Sequence, residues 1–388
     1  MVRSTVAHVD LAAVQANYRA ITDFLAWRPE GAPPRRAPRI IAVVKANAYG
    51  HGAAAVGLAL EQAGAQMLAC ADIEEALVLR AAGVRAAILV FGALSVSDLG
   101  GIFEHDLVPT ISTPTAARAV EAEAARRGIT IGYHLKIDTG MHRLGFRHDN
   151  LRRSLPDLLA SPHLRLDAVY THFATADDAE HDLMGRQREH FEAAVGALRD
   201  LGVPDVPRHA ANSAALLRDE RVWYDFVRPG LLLYGVAPPP LATTLPLAPA
   251  MEIRSRVVAL KGLRPGEHVG YGARYTADRT RTIAVVPAGY ADGLDLRLAG
   301  RGHVLIAGRR APIIGSVCMD MITVDVTGLP VRTGDEVVIL GSQGDDRVDV
   351  REMAAAADTI PWEILCRIGA RIERIYNRTT AAATPRHP

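Results

Sequence analysis

The order of apolar and polar positions changes near residue 240, so the two parts of the chain predict different architectures. From residue 40 onward, short apolar runs alternate with polar or glycine turns and with segments of helical period. The apolar runs predict eight strands, at 40–46, 67–71, 87–91, 107–111, 133–138, 166–172, 207–211 and 226–234. Eight strands that alternate with helices over roughly 200 residues favour a (β/α)8 TIM barrel, whereas an open doubly wound sheet usually has fewer strands and a GxGxxG fingerprint, which follows none of these strands.

The predicted helices carry start and stop signals. Asp10 precedes an amphipathic segment as an expected N-cap, and Asp72 with Glu75 matches a capping box. Thr113 is expected to cap a further helix, which Gly128 ends. These signals separate the helices from the strands and indicate which residues follow each strand.

Beyond the proline-rich linker 236–246, the hydrophobic period becomes two. Met251, Ile253, Ser255 and Val257 fall on one face of a predicted strand. Further strand-like runs lie at 281–287, 303–307, 311–317, 321–326 and 336–340, and a helix is predicted from about residue 350. We predict a (β/α)8 barrel over residues 1–240, whose first residues belong either to it or to the next domain, a mostly-β domain over 241–376, and a disordered tail over 377–388.

Composition and charge narrow the class of protein. Among 388 residues, 44 are basic and 43 acidic, so the chain presents no charge excess for nucleic acid or an anionic membrane. No apolar stretch is long enough to span a bilayer, and the first residues lack the apolar core of a signal peptide. Cys70, Cys318 and Cys366 form no CxxC pair, which predicts reduced thiols, no disulfide, no metal site and a cytoplasmic location.

Lys45 is the first candidate for chemistry. It follows the apolar run 40–44 and precedes a glycine-rich segment, which places an amine at the carboxyl end of the first barrel strand. In a dry pocket, desolvation lowers the pKa of a lysine amine, and a neutral amine forms Schiff bases. The alternative is a lysine that buries its stem and keeps its charge at the edge of the strand. Spacing alone does not separate these interpretations.

Further polar residues follow the other predicted strands, at the end where barrel enzymes place their active residues. These residues are Tyr49; Lys136, Asp138 and Arg143; His172; Asn212 and Ser213; and Arg228, Gly230 and Leu231. Ser213 suits either a phosphate at the start of a short helix or an ordinary N-cap. Gly230 suits either a backbone donor to a phosphate or a tight turn.

Several strings, in this order along the chain, resemble the alanine racemases. They are VVKANAYGHG, YHLKIDTGMHRLGF, THFATAD, HAANSA, VRPGLLLYG, VGYGARYTA, VPAGYADG and GSVCMDM. The resemblance extends from Asp10 to about Tyr376. It implies a barrel followed by a β domain, a head-to-tail homodimer, pyridoxal 5′-phosphate (PLP) on Lys45, and interconversion of L- and D-alanine, which supplies D-alanine for peptidoglycan.

The resemblance also implies how the cofactor is held. Lys45 binds it covalently, its phosphate contacts Tyr49, Ser213, Gly230 and Leu231 with Asn212 beside them, and its ring contacts His172 and Arg228. An arginine at the pyridine nitrogen donates a hydrogen bond but does not protonate it, so the ring withdraws electrons less strongly. Side reactions such as transamination are then expected to be suppressed.

Racemisation requires an acid/base group on each side of the cofactor. Lys45 is one, and the resemblance makes Tyr271, contributed by the partner subunit, the other. Because tyrosine titrates near pH 10, a positive network of His172 and Arg228 is expected to favour its phenolate. Without the flanking motif, Tyr271 would be interpreted as a strand aromatic packed on its neighbours.

The remaining assignments concern the substrate. By the resemblance, Arg143, Met319 and Asp320 lie near its carboxylate. Lys136 matches a lysine that is often carbamylated in the family, which would create an anion that orients Arg143. The alternative is an inward lysine paired with Asp138.

Two positions depart from the family pattern. His142 stands where a glycine commonly precedes the arginine, and Ala370 stands where a tyrosine often packs on the catalytic tyrosine. Ala370 is expected to widen the opening of the site, so a broader-specificity amino-acid racemase is an alternative. A PLP-dependent decarboxylase would lack Tyr271 in this motif, and a non-catalytic PLP-binding barrel would lack residues 245–376.

Overall fold

The computed structural model describes residues 4–27, 36–92 and 99–377, so the predicted tail lies outside the described residues except for Asn377. The chain forms two compact units. Among the described residues, the barrel unit comprises 14–27, 36–48, 53–92 and 99–248, and the β-rich unit comprises 4–13, 49–52 and 249–377. Among the described helices, none combines the length and the apolar character that a membrane span requires.

The chain starts with strand β1 (Val6–Val9) and helix α1 (Leu11–Ala26). Oδ1 of Asp10 accepts a hydrogen bond from the amide of Ala13 at 3.0 Å, so the predicted N-cap of α1 is confirmed.

Eight parallel strands then close into the predicted barrel. In chain order the strands of this part are β2 (Arg39–Val43), β3 (Met67–Cys70), β4 (Ala87–Val90), β5 (Leu107–Ile111), β6 (Ile131–Asp138), the short β7 (Phe146–Arg147), β8 (Leu164–Tyr170), β9 (Arg208–Asn212) and β10 (Phe226–Arg228). Each barrel strand pairs in parallel with its neighbours, β10 pairs with β2 to close the ring, and β7 is an appendage of β6. The (β/α)8 prediction is confirmed.

Helices separate most of these strands. They are α2 (Ala53–Gln62), α3 (Ile73–Ala81), α4 (Gly100–Glu104), α5 (Pro114–Arg127), α6 (Leu151–Ser154), α7 (Pro156–Leu159), α8 (Leu183–Asp200) and α9 (Ser213–Arg218). Thr113 caps α5, and Gly128 ends it at φ +68°, as predicted. The capping box at α3 is half formed: Asp72 accepts from the amide of Glu75, but the carboxylate of Glu75 bonds elsewhere.

Two predicted strands are too long. The first was expected to reach residue 46 but ends at Val43, and the last was expected to reach residue 234 but ends at Arg228. The apolar run after Arg228 forms a fully buried 3-10 helix over Leu231–Tyr234. A short apolar run fits a strand or a buried helical turn equally well, which explains the second error.

The interior of the barrel is apolar on one side and polar on another. Ile41, Ala69, Leu89 and Phe226 from β2, β3, β4 and β10 form a buried cluster. Strands β5, β6, β8, β9 and β10 instead bury the polar residues Thr110, His134, Lys136, Tyr170, His209 and Arg228. The polar group lies among the strands to which the sequence assigns most of the candidate chemistry.

The β-rich unit is mostly β, as predicted. Its strands after β1 are β11 (Met251–Arg256), β12 (Ala259–Leu263), β13 (His268–Val269), β14 (Tyr275–Thr276), β15 (Arg281–Val286), β16 (His303–Ile306), β17 (Arg309–Ile314), β18 (Ile322–Asp325), β19 (Glu336–Gln343), β20 (Asp346–Val348) and β21 (Glu373–Tyr376). The main sheet has the order β12-β15-β18-β17-β16-β19-β11-β1-β21. Helices α10 (Val350–Ala356) and α11 (Pro361–Cys366) precede β21.

Candidate active site

Lys45 begins a turn of left-handed helix, Lys45–Tyr49, shortly after β2 ends. The φ angles are +53° at Ala46 and Asn47, +54° at Ala48 and +51° at Tyr49. A left-handed helical conformation costs an L-residue about 1–2 kcal/mol. Four such residues in succession therefore require strong local anchors.

Side-chain hydrogen bonds anchor this turn. The amide of Ala53 donates to Oδ1 of Asn47 at 2.8 Å, and the amide of Ala46 donates to Oε1 of Glu75 at 2.6 Å. The second oxygen of Glu75 accepts from the amide of Ala71 at 2.8 Å. The backbone around Lys45 is thus fixed from two sides.

Arg228, at the end of β10, is the centre of a buried polar network. Its Nη2 donates to the carbonyl oxygens of Thr171 at 2.8 Å and Ala210 at 2.9 Å. The same nitrogen lies 3.0 Å from Nδ1 of His172, and Nη1 lies 2.8 Å from Nδ1 of His209. Burial lowers the pKa of Arg228 to about 10, so it stays cationic at neutral pH.

This network fixes the histidine tautomers. Because Arg228 has only donors, Nδ1 of His172 and of His209 must accept, and each ring carries its hydrogen on Nε2. Nε2 of His209 then donates to Nδ1 of His134 at 3.0 Å. Burial and the charge of Arg228 lower the pKa of His172 and His209 well below the ordinary value, and burial lowers the pKa of His134 to about 4. All three rings are therefore neutral at physiological pH.

Positive charge accumulates around His172. Burial, followed by the charges of Arg228, Lys136, Arg143 and Lys45, depresses its pKa. Lys136 is itself buried, and burial together with Arg228 and Arg143 lowers its pKa to about 7. Such a concentration of cations favours an anionic ligand.

A hydroxyl and backbone amides meet where β9 and β10 end. The interpretation of Ser213 as an N-cap is wrong, because Asn212 caps α9: its Oδ1 accepts from the amide of Ala215 at 2.9 Å. Oγ of Ser213 instead accepts from the amide of Gly230 at 2.9 Å and from that of Leu232 at 3.5 Å. Because Oγ accepts in both bonds, its hydroxyl hydrogen can donate to a further acceptor such as a phosphate oxygen.

Tyr49 ends the left-handed turn and belongs to the β-rich unit. Its side chain is buried, and burial raises the pKa of its hydroxyl far above the ordinary value. A Cβ on Gly50 would lie 2.1 Å from the carbonyl oxygen of Leu365, and one on Gly52 would lie 1.9 Å from the hydroxyl of Tyr376. Both glycines also have positive φ, so only glycine fits at these positions.

Asp138, the last residue of β6, organises the loop that carries Arg143. Its Oδ1 accepts hydrogen bonds from the amides of Gly140, Met141 and His142 at 3.0, 3.1 and 3.0 Å. Burial raises the pKa of Asp138, but these bonds outweigh it and the net shift is downward. His142 adopts φ +54°, with its ring 3.4 Å from Oδ2 of Asp138, so the departure from glycine is accommodated beside a carboxylate.

Tyr271 lies in the β-rich unit, on the loop between β13 and β14. The flanking residues Val269 and Tyr275 pack in a small core, and the carbonyl of Tyr271 accepts from Oγ of Ser316 at 2.7 Å. Its side chain is nevertheless 78% exposed. The hairpin thus holds an aromatic side chain that the rest of its own unit leaves mostly exposed.

Met319 and Asp320 lie in the same unit. The carbonyl of Met319 accepts from the amide of Ala291 at 3.0 Å, and the Met319 side chain is 52% exposed. Nη2 of Arg371 donates to Oδ1 of Asp320 at 2.6 Å. Ala370, next to this arginine, has only a methyl group as its side chain.

The candidate site residues therefore fall into two sets, one in each structural unit. The barrel unit holds Lys45, Lys136, Arg143, His172, Asn212, Ser213, Arg228, Gly230 and Leu231, and the β-rich unit holds Tyr49, Tyr271, Met319 and Asp320. The sequence reasoning missed His134, His209 and Tyr170. The available signal was a polar residue within a buried strand: His134 lies two residues before Lys136, on the same face of β6.

Comparison with known proteins agrees with this architecture. The alanine racemase N-terminal domain model matches residues 9–238, and the alanine racemase C-terminal domain model matches residues 250–376. An alanine racemase of Symbiobacterium thermophilum is 42% identical over 381 residues, covering 98% of each chain. The crystal structure of alanine racemase from D-cycloserine-producing Streptomyces lavendulae has a TM-score of 0.91 at 35% identity, with 98% of both chains covered. A structure from Bartonella henselae, described as having covalently bound pyridoxal phosphate, has a TM-score of 0.86 at 28% identity, covering 96% of this chain and 99% of that one.

The matches to both domain models and to curated relatives over nearly the whole chain identify it as an isomerase of the amino-acid racemase class. The chain belongs to the alanine racemase family.

Proposed function

We propose that the chain interconverts L- and D-alanine, with PLP bound to Lys45 and Tyr271 of the partner subunit as the second base. The observation that supports this most directly is the buried network in which Arg228 lies 3.0 Å from Nδ1 of His172 and 2.8 Å from Nδ1 of His209, with the basic groups Lys136, Arg143 and Lys45 near enough to lower the pKa of His172. This environment suits a ligand with an anionic phosphate and an anionic phenolic oxygen.

The donor set fits PLP. Oγ of Ser213 accepts from the amide of Gly230, so its own hydroxyl hydrogen can donate to the phosphate, and Arg228 offers a fixed donor to the ring nitrogen. Lys45 supplies the amine for covalent attachment. When bound, PLP withdraws electrons from an attached amino acid and so acidifies its α-proton.

The side chains then divide the work of racemisation. Lys45 takes or returns the α-proton on one side of the substrate, and Tyr271 of the partner subunit does so on the other. Arg228 keeps its own proton because its pKa is about 10, which restrains electron withdrawal by the ring. Arg143, together with Met319 and Asp320 of the partner subunit, binds on the side of the substrate carboxylate.

A homodimer is part of this proposal. Tyr271 needs a site outside its own unit to act upon, and the β-rich unit exposes further large apolar residues. They are Tyr290 (43% exposed), Met319 (52%) and Met321 (46%). An exposed apolar group of this kind marks an interaction surface. We place the enzyme in the cytoplasm, in keeping with a sequence whose three cysteines form no CxxC pair.

A second candidate is a racemase of broader specificity. Ala370 favours it, because alanine stands where the family resemblance leads us to expect the bulkier ring of a tyrosine. Exchange of the α-proton in heavy water, followed for each of the twenty common amino acids, separates the two functions. Exchange confined to alanine supports the first, and exchange with larger side chains supports the second.

Borohydride reduction tests the cofactor assignment. The chain has three lysines, Lys45, Lys136 and Lys261, so a peptide map distinguishes every side-chain amine. We expect the reduced holoenzyme to carry the pyridoxyl group on Lys45, and the Lys45→Arg variant to carry none, since an arginine cannot form this bond. Lys261→Arg is the control, because Lys261 is exposed on β12. A pyridoxyl group on Lys136 or Lys261 of the wild type would refute the site.

Carbamylation of Lys136 is expected to depend on pH. A carbamate forms from the neutral amine, and burial lowers the pKa of Lys136 to about 7. The neutral fraction therefore increases as pH rises through 7 and is lost at lower pH. We expect a carbamate carbon signal from labelled bicarbonate at pH 8 that weakens toward pH 6. Lys136→Met should remove the signal and Lys261→Met should keep it; a signal that survives in Lys136→Met contradicts the assignment.

A further inference from the structure

We propose that Glu75 is a positioning residue for Lys45. The carboxylate of Glu75 fixes the backbone at the start of the left-handed turn and thereby fixes the direction of the Lys45 amine. The inference rests on the proposed role of Lys45. None of the sequence strings that resemble the family contains Glu75. The sequence pattern predicts it only as part of a helix cap.

The carboxylate of Glu75 joins the ends of two neighbouring strands. Oε1 accepts from the amide of Ala46 at 2.6 Å, and Oε2 accepts from that of Ala71 at 2.8 Å. Ala46 follows β2, Ala71 follows β3, and the two strands pair in parallel. One ionised side chain therefore ties together two strand ends with short, charge-assisted hydrogen bonds.

An ordinary capping box does not explain these bonds. In such a box, the carboxylate at the third helical position returns to the amide of the N-cap residue, here Asp72. The amide of Glu75 does donate to Oδ1 of Asp72 at 2.9 Å. Its carboxylate, however, reaches Ala46, which lies 29 residues earlier in the chain.

The hydrogen bond to Ala46 restrains the peptide bond that directly follows Lys45. The amide of Ala46 lies in the same rigid peptide plane as the carbonyl of Lys45, so a bond to it fixes ψ of Lys45. Ala46 is also the first of four residues at φ between +51° and +54°. Without the carboxylate, the turn loses its anchor at the residue next to the amine, and relaxation there would redirect the side chain.

The test compares Glu75→Ala and Glu75→Gln with Glu74→Ala. Glu74 lies in the same first turn of α3 and is exposed, so its loss removes the same charge from the same helix end. Hydrogen exchange of the 44–53 segment is measured on the cofactor-free protein. Racemisation rates, and primary isotope effects with α-deuterated D- and L-alanine, are measured on the holoenzyme.

For Glu75→Ala we expect exchange at residues 45–48 to rise by about tenfold or more, because a local anchor is lost. We expect kcat to fall by roughly 10- to 100-fold through misplacement of the amine, with KM within about twofold. The isotope effect should rise for D-alanine, whose α-proton we assign to Lys45, and not for L-alanine. Glu74→Ala should match the wild type in all three measurements.

Unchanged exchange at residues 45–48, or equal changes in Glu74→Ala, overturns the proposal. If Glu75→Ala does not fold, Glu75→Gln decides the matter: it keeps one acceptor, so a smaller rise in the same segment supports the proposal and no rise overturns it. Failure of the proposed function is distinguishable, since it appears as a pyridoxyl group on a lysine other than Lys45 in the wild type.

Discussion

Replacing Tyr271 by phenylalanine is expected to slow α-proton removal from L-alanine by roughly 10²- to 10⁴-fold, the range for a lost general base. Removal from D-alanine should persist, because Lys45 serves the opposite side. The variant should then exchange the α-proton of D-alanine with solvent while inverting little of it. Deuterium incorporation in heavy water, followed by NMR before any inversion, measures both rates.

Tyr275→Phe is the matched control for Tyr271→Phe. Tyr275 lies on the same hairpin but packs in the small core of the β-rich unit, so its hydroxyl is not expected to act on substrate. Because the Tyr271 ring is 78% exposed, its replacement should change the free energy of unfolding by less than about 0.5 kcal/mol. Equal losses of exchange from both enantiomers would refute the division between two bases.

The same variant tests whether sites are shared between subunits. Mixed dimers of Tyr271→Phe and Lys45→Arg chains contain one site with both defects and one site with neither. Random reassortment in a two-fold dimer should therefore restore about a quarter of the wild-type activity. No recovery, despite proven exchange of subunits, would show that Tyr271 acts within its own chain.

The second large effect is expected for Arg228→Lys, although the substitution keeps the charge. The guanidinium reaches two carbonyls through Nη2 and two histidines through separate nitrogens. A lysine has one nitrogen and leaves buried acceptors without donors, each at a cost of about 1–3 kcal/mol. We expect a loss of about 2–4 kcal/mol in the free energy of unfolding, together with a roughly 100-fold fall in kcat as His172 loses its fixed position.

Urea denaturation with and without PLP measures the stability change, since the cofactor adds its own stabilisation to the folded state. Arg147→Lys is the control, because Arg147 is exposed and pairs with the exposed Asp149. Its stability should change by no more than about 0.5 kcal/mol. Indistinguishable behaviour of the two variants would contradict the central role of Arg228 in the network.

The barrel itself could be predicted from the sequence because its signals are local and repeated. Apolar runs, caps such as Thr113 and stops such as Gly128 agree with one another, and together they define the alternation of strands and helices. The short helix after β9 was predicted as well, but its cap was not, because Asn212 and Ser213 are both good N-caps and only their side-chain directions separate them.

The turn at Lys45 could not be predicted in this way. Ala46, Ala48 and Tyr49 disfavour left-handed backbone, and a bond that supports it comes from Glu75, which is distant in sequence. The contact between His134 and His209 is likewise set by barrel closure, which places β6 and β9 on either side of β8. Local strain and long-range hydrogen bonds are both invisible to hydrophobic periodicity.

The scarcity of lysine in this chain has a practical consequence for attachment to solid supports. Lys45 is half-buried and Lys136 is buried, whereas Lys261 is exposed on the edge strand β12. An amine-reactive resin should therefore couple the chain through Lys261 or the terminal amine, and a Lys261→Arg variant would restrict coupling to the terminus. The orientation of an immobilised catalyst could then be chosen by a single substitution.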